Sequence, residues 1–298
     1  MEKRTLGKTG LEVSRLGLGL AWIGFELTLN ETRQAGEVIN TALDAGVNLL
    51  DTAACYGISE ELIGRTVAHR RHEYYLATKC GHGGTGADWS AETVNENIDR
   101  SLKRMRTDYL DIVQLHSCGV HILEESDAVQ ALLDAKKAGK TRFIGQSGDN
   151  EAARWVIESG LFDTLQTSFN LIDQRARTRL FPAAEANDIG IIIKRPIANA
   201  VWRAAKSPSD YYDGYFERAK IVDAMGPIPG APENRILLPM SFTFAHDAVD
   251  TAIVGTKNPE NMRQNIDLYN SGLSIPQEAV AELYRRFDQV GSDWHQLS

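Results

Sequence analysis

Eight short apolar runs, each followed by a longer segment of helical spacing, constrain this chain's fold more than any other feature. The runs are "RLGLG" (15–19), "VNLLD" (47–51), "EYYLATK" (73–79), "YLDIVQLH" (109–116), "TRFIGQS" (141–147), "DTLQTS" (163–168), "GIIIK" (190–194) and "TAIVG" (251–255). Between them lie amphipathic segments such as "ETRQAGEVINTALDAG", "SAETVNENIDRSLKRMR" and "SDAVQALLDAKKAG". Ser90 is placed to cap the start of one and Gly139 to follow the end of another. Unbroken β–α alternation implies a parallel sheet. Eight units point to a closed (β/α)8 barrel, the TIM-barrel architecture, and 298 residues is an ordinary length for one such domain. An open dinucleotide-binding sheet would carry GxGxxG after its first strand; "GLGLAWIG" at Gly17–Gly24 does not have that spacing.

The rest of the organisation follows from punctuation. "KRTLG" and "LEVS" flank "GKTG" and read as an N-terminal hairpin. A phosphate-loop reading of "GKTG" fails, because Glu2 stands where that motif needs a glycine. Residues 203–230 form an aromatic-rich insertion after the seventh strand, in which "DYYDGYF" is either a lid or a locally packed helix. The tail holds one more helical stretch, "PQEAVAELYRRFDQV". A single barrel domain spanning 1–298 is the expectation.

Apolar residues at 43% and charged residues at 24% are ordinary for a globular core. A net charge of −8 disfavours nucleic acid and anionic membrane as partners. Cys55, Cys80 and Cys118 match no metal-binding spacing, and a sparse odd count suits a reducing compartment. With no apolar leader, a cytoplasmic location is expected.

In a parallel barrel all strands end on one face, where chemistry is built. Asp51 ends the second strand, Tyr56 follows it, Lys79 ends the third and His116 ends the fourth. A lone rim lysine or histidine is normally just solvated, but four complementary groups from three consecutive units form a set. An unperturbed tyrosine titrates roughly three units above neutrality, and a nearby ammonium lowers its pKa. A carboxylate fixes that ammonium, and a histidine orients a substrate oxygen. Such a set protonates an alkoxide forming from a carbonyl. It lacks the paired carboxylates of a glycosidase and any evident metal cage.

The blocks "GVNLLDTAACYG", "ATKCG", "SLKRMRTDYLDIVQLH" and "IVGTKNPENMRQNI" resemble, in order and spacing, the signature blocks of the aldo-keto reductase superfamily. The resemblance implies a barrel closed below by a hairpin, an extended nicotinamide cofactor, and hydride transfer to a small-molecule aldehyde or ketone. It makes Tyr56 the general acid, Lys79 its partner, Asp51 the anchor of Lys79, and His116 the orienting group. For the cofactor it points to Ser147 and Gln166 at the carboxamide. Gly148 replaces the family's asparagine, with Asp149 or Asn150 as possible substitutes, and Lys194 stands where an aromatic would stack. Arg195 is expected at the pyrophosphate, with Ile197 and Asn199 lining the groove. Gly255, Thr256 and Lys257 resemble the adenosine-phosphate segment, and Gln264 and Asn265 the adenine contacts. Lys257 favours NADP (NADPH), whereas Asn261, where many NADP-preferring members have arginine, keeps NAD possible.

Trp22 and Trp89 are candidate pocket walls. All three cysteines lie within two residues of a catalytic position; small residues simply tolerated there are the expectation, and blocking of the site by oxidation or alkylation of one of them is the alternative. The alternative function is a cofactor-binding redox-sensing or regulatory subunit with slow turnover. An unrelated barrel enzyme using Lys79 as a Schiff base is remote.

Overall fold

A computed structural model describes residues 1–83 and 86–297. Strands β1 (Lys3–Thr5) and β2 (Glu12–Ser14) pair antiparallel. The barrel strands are β3 (Leu16–Gly19), β4 (Leu49–Asp51), β5 (Tyr75–Cys80), β8 (Leu110–His116), β9 (Thr141–Ser147), β10 (Thr164–Ser168), β11 (Gly190–Lys194) and β12 (Thr251–Gly255). They pair in parallel in that order, and β12 closes on β3. A small ribbon, β6 (His82–Gly83) with β7 (Gly86–Ala87), rises from the loop after β5. Every run expected to be a barrel strand is one.

Alternation along each strand sorts the interior into layers. Leu49, Ala77, Ile112 and Ile192 point inward near the strand starts. They bury Leu6, Leu11 and Val13 of the hairpin in one cluster, so the hairpin plugs the barrel's bottom. Burying each leucine contributes roughly 1.5–3 kcal/mol. Gly7 makes the close approach possible. Its φ is 44°, and a Cβ there would lie 2.3 Å from the Gly190 backbone nitrogen. Two residues further along the same strands, the inward positions become Asp51, Lys79, Gln114 and Lys194. The barrel is therefore apolar below and polar above.

The surrounding helices follow the expected periodicity. Helix Ala91–Met105 buries Val94, Ile98, Ser101 and Met105 on one face, and the Ser90 side chain accepts from Thr93 N at 3.2 Å. Gly139 takes φ 75° after helix Ala128–Lys137. In the 203–230 segment, a turn at Asp210–Tyr212 leads into helix Asp213–Asp223. The end of that helix is fixed by Arg286 of the last helix, Gln277–Val290. Although buried, Arg286 is paired with Glu282 at 2.7 Å and donates to the carbonyls of Val222, Gly226 and Pro227 at 2.8–3.0 Å. Among the described residues no helix is long and apolar enough to cross a membrane.

Candidate active site

The polar layer is built around one carboxylate. Asp51 is 2% exposed and Lys79 1%, and Lys79 Nζ donates to Asp51 Oδ2 at 2.6 Å and to Thr52 O at 2.8 Å. The other carboxylate oxygen accepts from Gln166 Nε2 at 2.7 Å and Gln114 Nε2 at 3.4 Å. Ser147 Oγ donates to Gln166 Oε1 at 3.2 Å. Desolvating two charges is costly unless their remaining valences are met, and here inward-facing side chains of β8 and β10 meet them. Burial opposes the charge on Lys79, but Asp51 and then Tyr56 outweigh it and raise its pKa above the ordinary value.

Tyr56 lies over this pair, with Lys79 Nζ 5.0 Å from its ring centroid. The ammonium pulls the phenol toward ionisation as the chemistry of the set requires. Burial is nevertheless the larger influence, so the phenol's pKa ends above its ordinary value rather than below it. Tyr56 is a firmly protonated donor at neutral pH.

His116 sits edge-on to the Tyr56 ring at 5.5 Å between centroids. Burial, then the charges of Lys79, His82 and Lys194, hold its pKa well below the ordinary value, so it is neutral. Cys55 Sγ is 3.3 Å from His116 Nδ1. Burial raises the Cys55 pKa and keeps it a thiol. The thiol can donate to Nδ1, and in that tautomer the imidazole proton is on Nε2.

Trp89 and Trp22 stand on either side. Trp89 Nε1 donates to His116 O at 3.2 Å, and its ring packs on Gly81, where a Cβ would lie 2.2 Å away. Trp22 packs against Tyr212 at 5.9 Å, and Arg195 donates to Tyr211 Oη at 2.7 Å. The "DYYDGYF" segment is thus a packed helix start and a roof over the rim at once.

Strands β4, β5, β8, β9 and β10 bring together Asp51, Tyr56, Lys79, His116, Ser147 and Gln166, all expected from sequence. The decisive similarity spans the chain: the Aldo/keto reductase family matches residues 15–284. The chain belongs to the aldo/keto reductase family. It is 30% identical to the uncharacterized oxidoreductase YqkF of Bacillus subtilis, across 94% of this chain and 95% of that one. It is 27% identical to L-galactose dehydrogenase of Arabidopsis thaliana, across 95% and 93%. The crystal structure of a putative aldo-keto reductase from Pseudomonas aeruginosa superposes with a TM-score of 0.72 at 29% identity, across 91% and 95%.

The remaining positions expected at the cofactor sit differently in this aldo/keto reductase. Lys194 is tied to buried Asp149 at 2.9 Å, and Asp149 also accepts from Ser168 N and Thr167 Oγ1. Asn150 exchanges hydrogen bonds with the Gln296 backbone at 2.9 and 3.1 Å. Neither Asp149 nor Asn150 is therefore free to replace the missing asparagine side chain at Gly148. A Cβ at Gly148 would lie 2.5 Å from the Gln146 side-chain amide, so a larger residue there would require that amide to move. Arg195 Nη1 donates to Leu297 O and contacts Ser168 Oγ.

Arg195, Ala198, Asn199 and Ala200 all have positive φ, and Asn199 Nδ2 is buried with no partner. A strained backbone that points an unmatched donor inward fits a ligand groove. Half-buried Ile197 lies in the same segment. Across the rim, Gly255 packs against Gly19 O and Trp22, and Thr256 Oγ1 accepts from Asn258 N at 3.0 Å. Lys257 is paired with Glu26. In helix Pro259–Asn270, Asn261 and Gln264 are exposed and Asn265 is half-buried.

Sequence reasoning missed two members of the site. Gln114 was legible by parity, since it lies two residues before His116 on an inward-facing strand. His82 had no such signal, and Cys55 was marked only by its place beside Tyr56. The chain spacing shows no metal pattern, yet ligand atoms of Cys55, His82 and His116 lie within 4.8 Å of one another.

Proposed function

We propose that this protein is an NADPH-dependent carbonyl reductase in which Tyr56 supplies the proton and Lys79 stabilises the phenolate left behind. The observation that carries the reading is the buried Asp51–Lys79 pair directly beneath the Tyr56 ring. When bound, a dihydronicotinamide would supply the hydride. His116 Nε2–H holds the carbonyl oxygen and polarises it. As negative charge grows on that oxygen, Tyr56 Oη gives up its proton and the alcohol forms. Lys79 then faces a phenolate, and Asp51 keeps the ammonium charged throughout. Because Tyr56 is protonated in the resting site, no prior ionisation is needed for reduction.

Gln166 and Ser147 would hold the carboxamide, Arg195 the pyrophosphate, and Asn199 its unmatched donor against the same groove. Asn265 and Gln264 would meet the adenine. Preference for NADPH rests on Lys257, which would exchange Glu26 for a 2′-phosphate. A relative in Escherichia coli, 27% identical across 97% of this chain, is an NADH-specific methylglyoxal reductase, so cofactor choice is the first thing to measure. Titrating the protein with NADPH and NADH while following tryptophan fluorescence, then assaying a carbonyl panel, tests the reading. NADPH binding with sustained turnover supports it. Binding without turnover favours a regulatory subunit, and preference for NADH removes the role given to Lys257.

A further inference from the structure

We propose that Cys55, His82 and His116 form a binding site for a thiophilic divalent cation of the zinc class inside the catalytic pocket, and that loading it shuts off reduction. The three residues come from consecutive barrel units: the loop after β4, the ribbon after β5 and the end of β8. Their ligand atoms already lie within 4.8 Å of one another, with Cys55 Sγ 3.3 Å from His116 Nδ1. Tetrahedral zinc with ordinary bond lengths of about 2.3 Å to sulfur and about 2.05 Å to nitrogen separates S and N by about 3.6 Å and two nitrogens by about 3.4 Å. The distances therefore need side-chain shifts of only about an ångström, together with a turn of one imidazole.

The imidazoles are stacked, at 16° and 4.5 Å between centroids, so one ring must turn to bring both in-plane lone pairs onto a shared ion. Trp89 buttresses both, donating to the His116 carbonyl and packing edge-on against His82 at 5.7 Å. One thiolate and two imidazoles select zinc or its neighbours over magnesium or calcium. All three residues are half-buried, so an ion can enter from the pocket mouth. Three protein ligands leave a fourth position for water.

Binding is a proton-for-metal exchange. The Cys55 S–H bond breaks, its proton goes to solvent, a sulfur–metal bond forms, and no electrons are transferred. The Cys55–His116 hydrogen bond is lost in the exchange. An ion on Nδ1 leaves Nε2–H in place, so the block comes from the ion and its water, which occupy space beside Tyr56. This inhibitory consequence rests on the reductase reading, whereas the site itself does not.

The test is titration of untagged, cofactor-free protein with Co2+ under reducing, anaerobic conditions. One equivalent should produce a near-ultraviolet thiolate-to-cobalt charge-transfer band and intense tetrahedral visible bands, both removed by added Zn2+. Cys55→Ser should abolish the charge-transfer band, and His82→Gln should weaken cobalt binding at least tenfold. Zn2+ should then inhibit the wild type at concentrations tenfold or more below those that affect either variant, each measured against its own metal-free rate. Absence of the band in wild type, or bands unchanged in both variants, overturns the site. A cobalt signature without carbonyl reduction in any metal-free form would instead leave the site standing and overturn the reductase reading.

Discussion

Two sectors of the same barrel mouth are built on opposite plans. In the sector of β4, β5 and β8, the charges are satisfied within the barrel: Lys79 by Asp51, and Asp51 by Gln114 of β8 and by Gln166, which reaches across the interior from β10. In the sector of β9, β10 and β11, the polar groups are matched from outside. Asn150 and Arg195 bond to the tail at 296–297, Arg195 also to Tyr211, and Asp173 accepts from Tyr215 Oη and Leu297 N. In the proposed reductase the first sector would hold the proton-transfer groups, and the second would give up protein partners to a bound cofactor. The contrast would then separate residues proposed to perform chemistry from residues proposed to regulate access to it.

Breaking the inner pair should have the largest effect. Lys79→Met leaves a buried carboxylate uncompensated, so stability should fall by roughly 3–5 kcal/mol in urea unfolding. Reduction should fall by about 10²–10⁴-fold with the phenolate's partner gone. Adding Asp51→Asn should recover stability but not turnover. Recovery of both would mean that the pair is only structural.

The outer sector should show itself in pH dependence. Burial, reinforced by the charge of Asp149, raises the Asp173 pKa from 3.8 to about 7. The folded protein then holds a proton that the unfolded chain releases near pH 4. Stability contributed by Asp173 is therefore full below that pH and is lost as pH rises toward 7, by at most roughly 4 kcal/mol. Comparing unfolding of the wild type and Asp173→Asn from pH 4 to 8 isolates this slope, which the variant should lack.

A smaller loss, roughly 3 kcal/mol, is expected for Lys194→Met, because Lys194 is itself partly exposed and Asp149 keeps its hydrogen bonds from Ser168 N and Thr167 Oγ1. Turnover at saturating cofactor should change less than tenfold. A loss matching that of Lys79→Met would erase the distinction between the sectors. The mildest change is removal of residues 296–298, which frees Arg195. Cofactor affinity, read by fluorescence titration, should rise about fivefold, on the order of one net hydrogen bond. A decrease would show that the tail builds the groove instead of competing for it.

The same division explains what the sequence made legible. The eight strands were readable because parallel barrel strands are continuous apolar runs between helices of strong period. Asp51, Lys79 and His116 were readable because a polar residue ending such a run faces the rim, and Tyr56 because its loop is short. The net direction of the Tyr56 pKa was not, since it depends on how deeply the ring is buried. The partners of Lys194 and Arg195 were hidden because Asp149 and the tail meet them through loop geometry. The nearness of His82 to Cys55 was hidden for the same reason: it arises from a two-residue ribbon strand with no periodicity to read.

The most direct measurement of the central claim is single-turnover carbonyl reduction by Tyr56→Phe alongside its cofactor affinity. The account predicts cofactor binding within a factor of about two of the wild type, and a hydride-transfer rate lowered by about 10²–10⁴-fold. A rate close to wild type, with binding intact, would show that the proton comes from elsewhere and would remove Tyr56 and the Lys79–Asp51 pair from the chemistry.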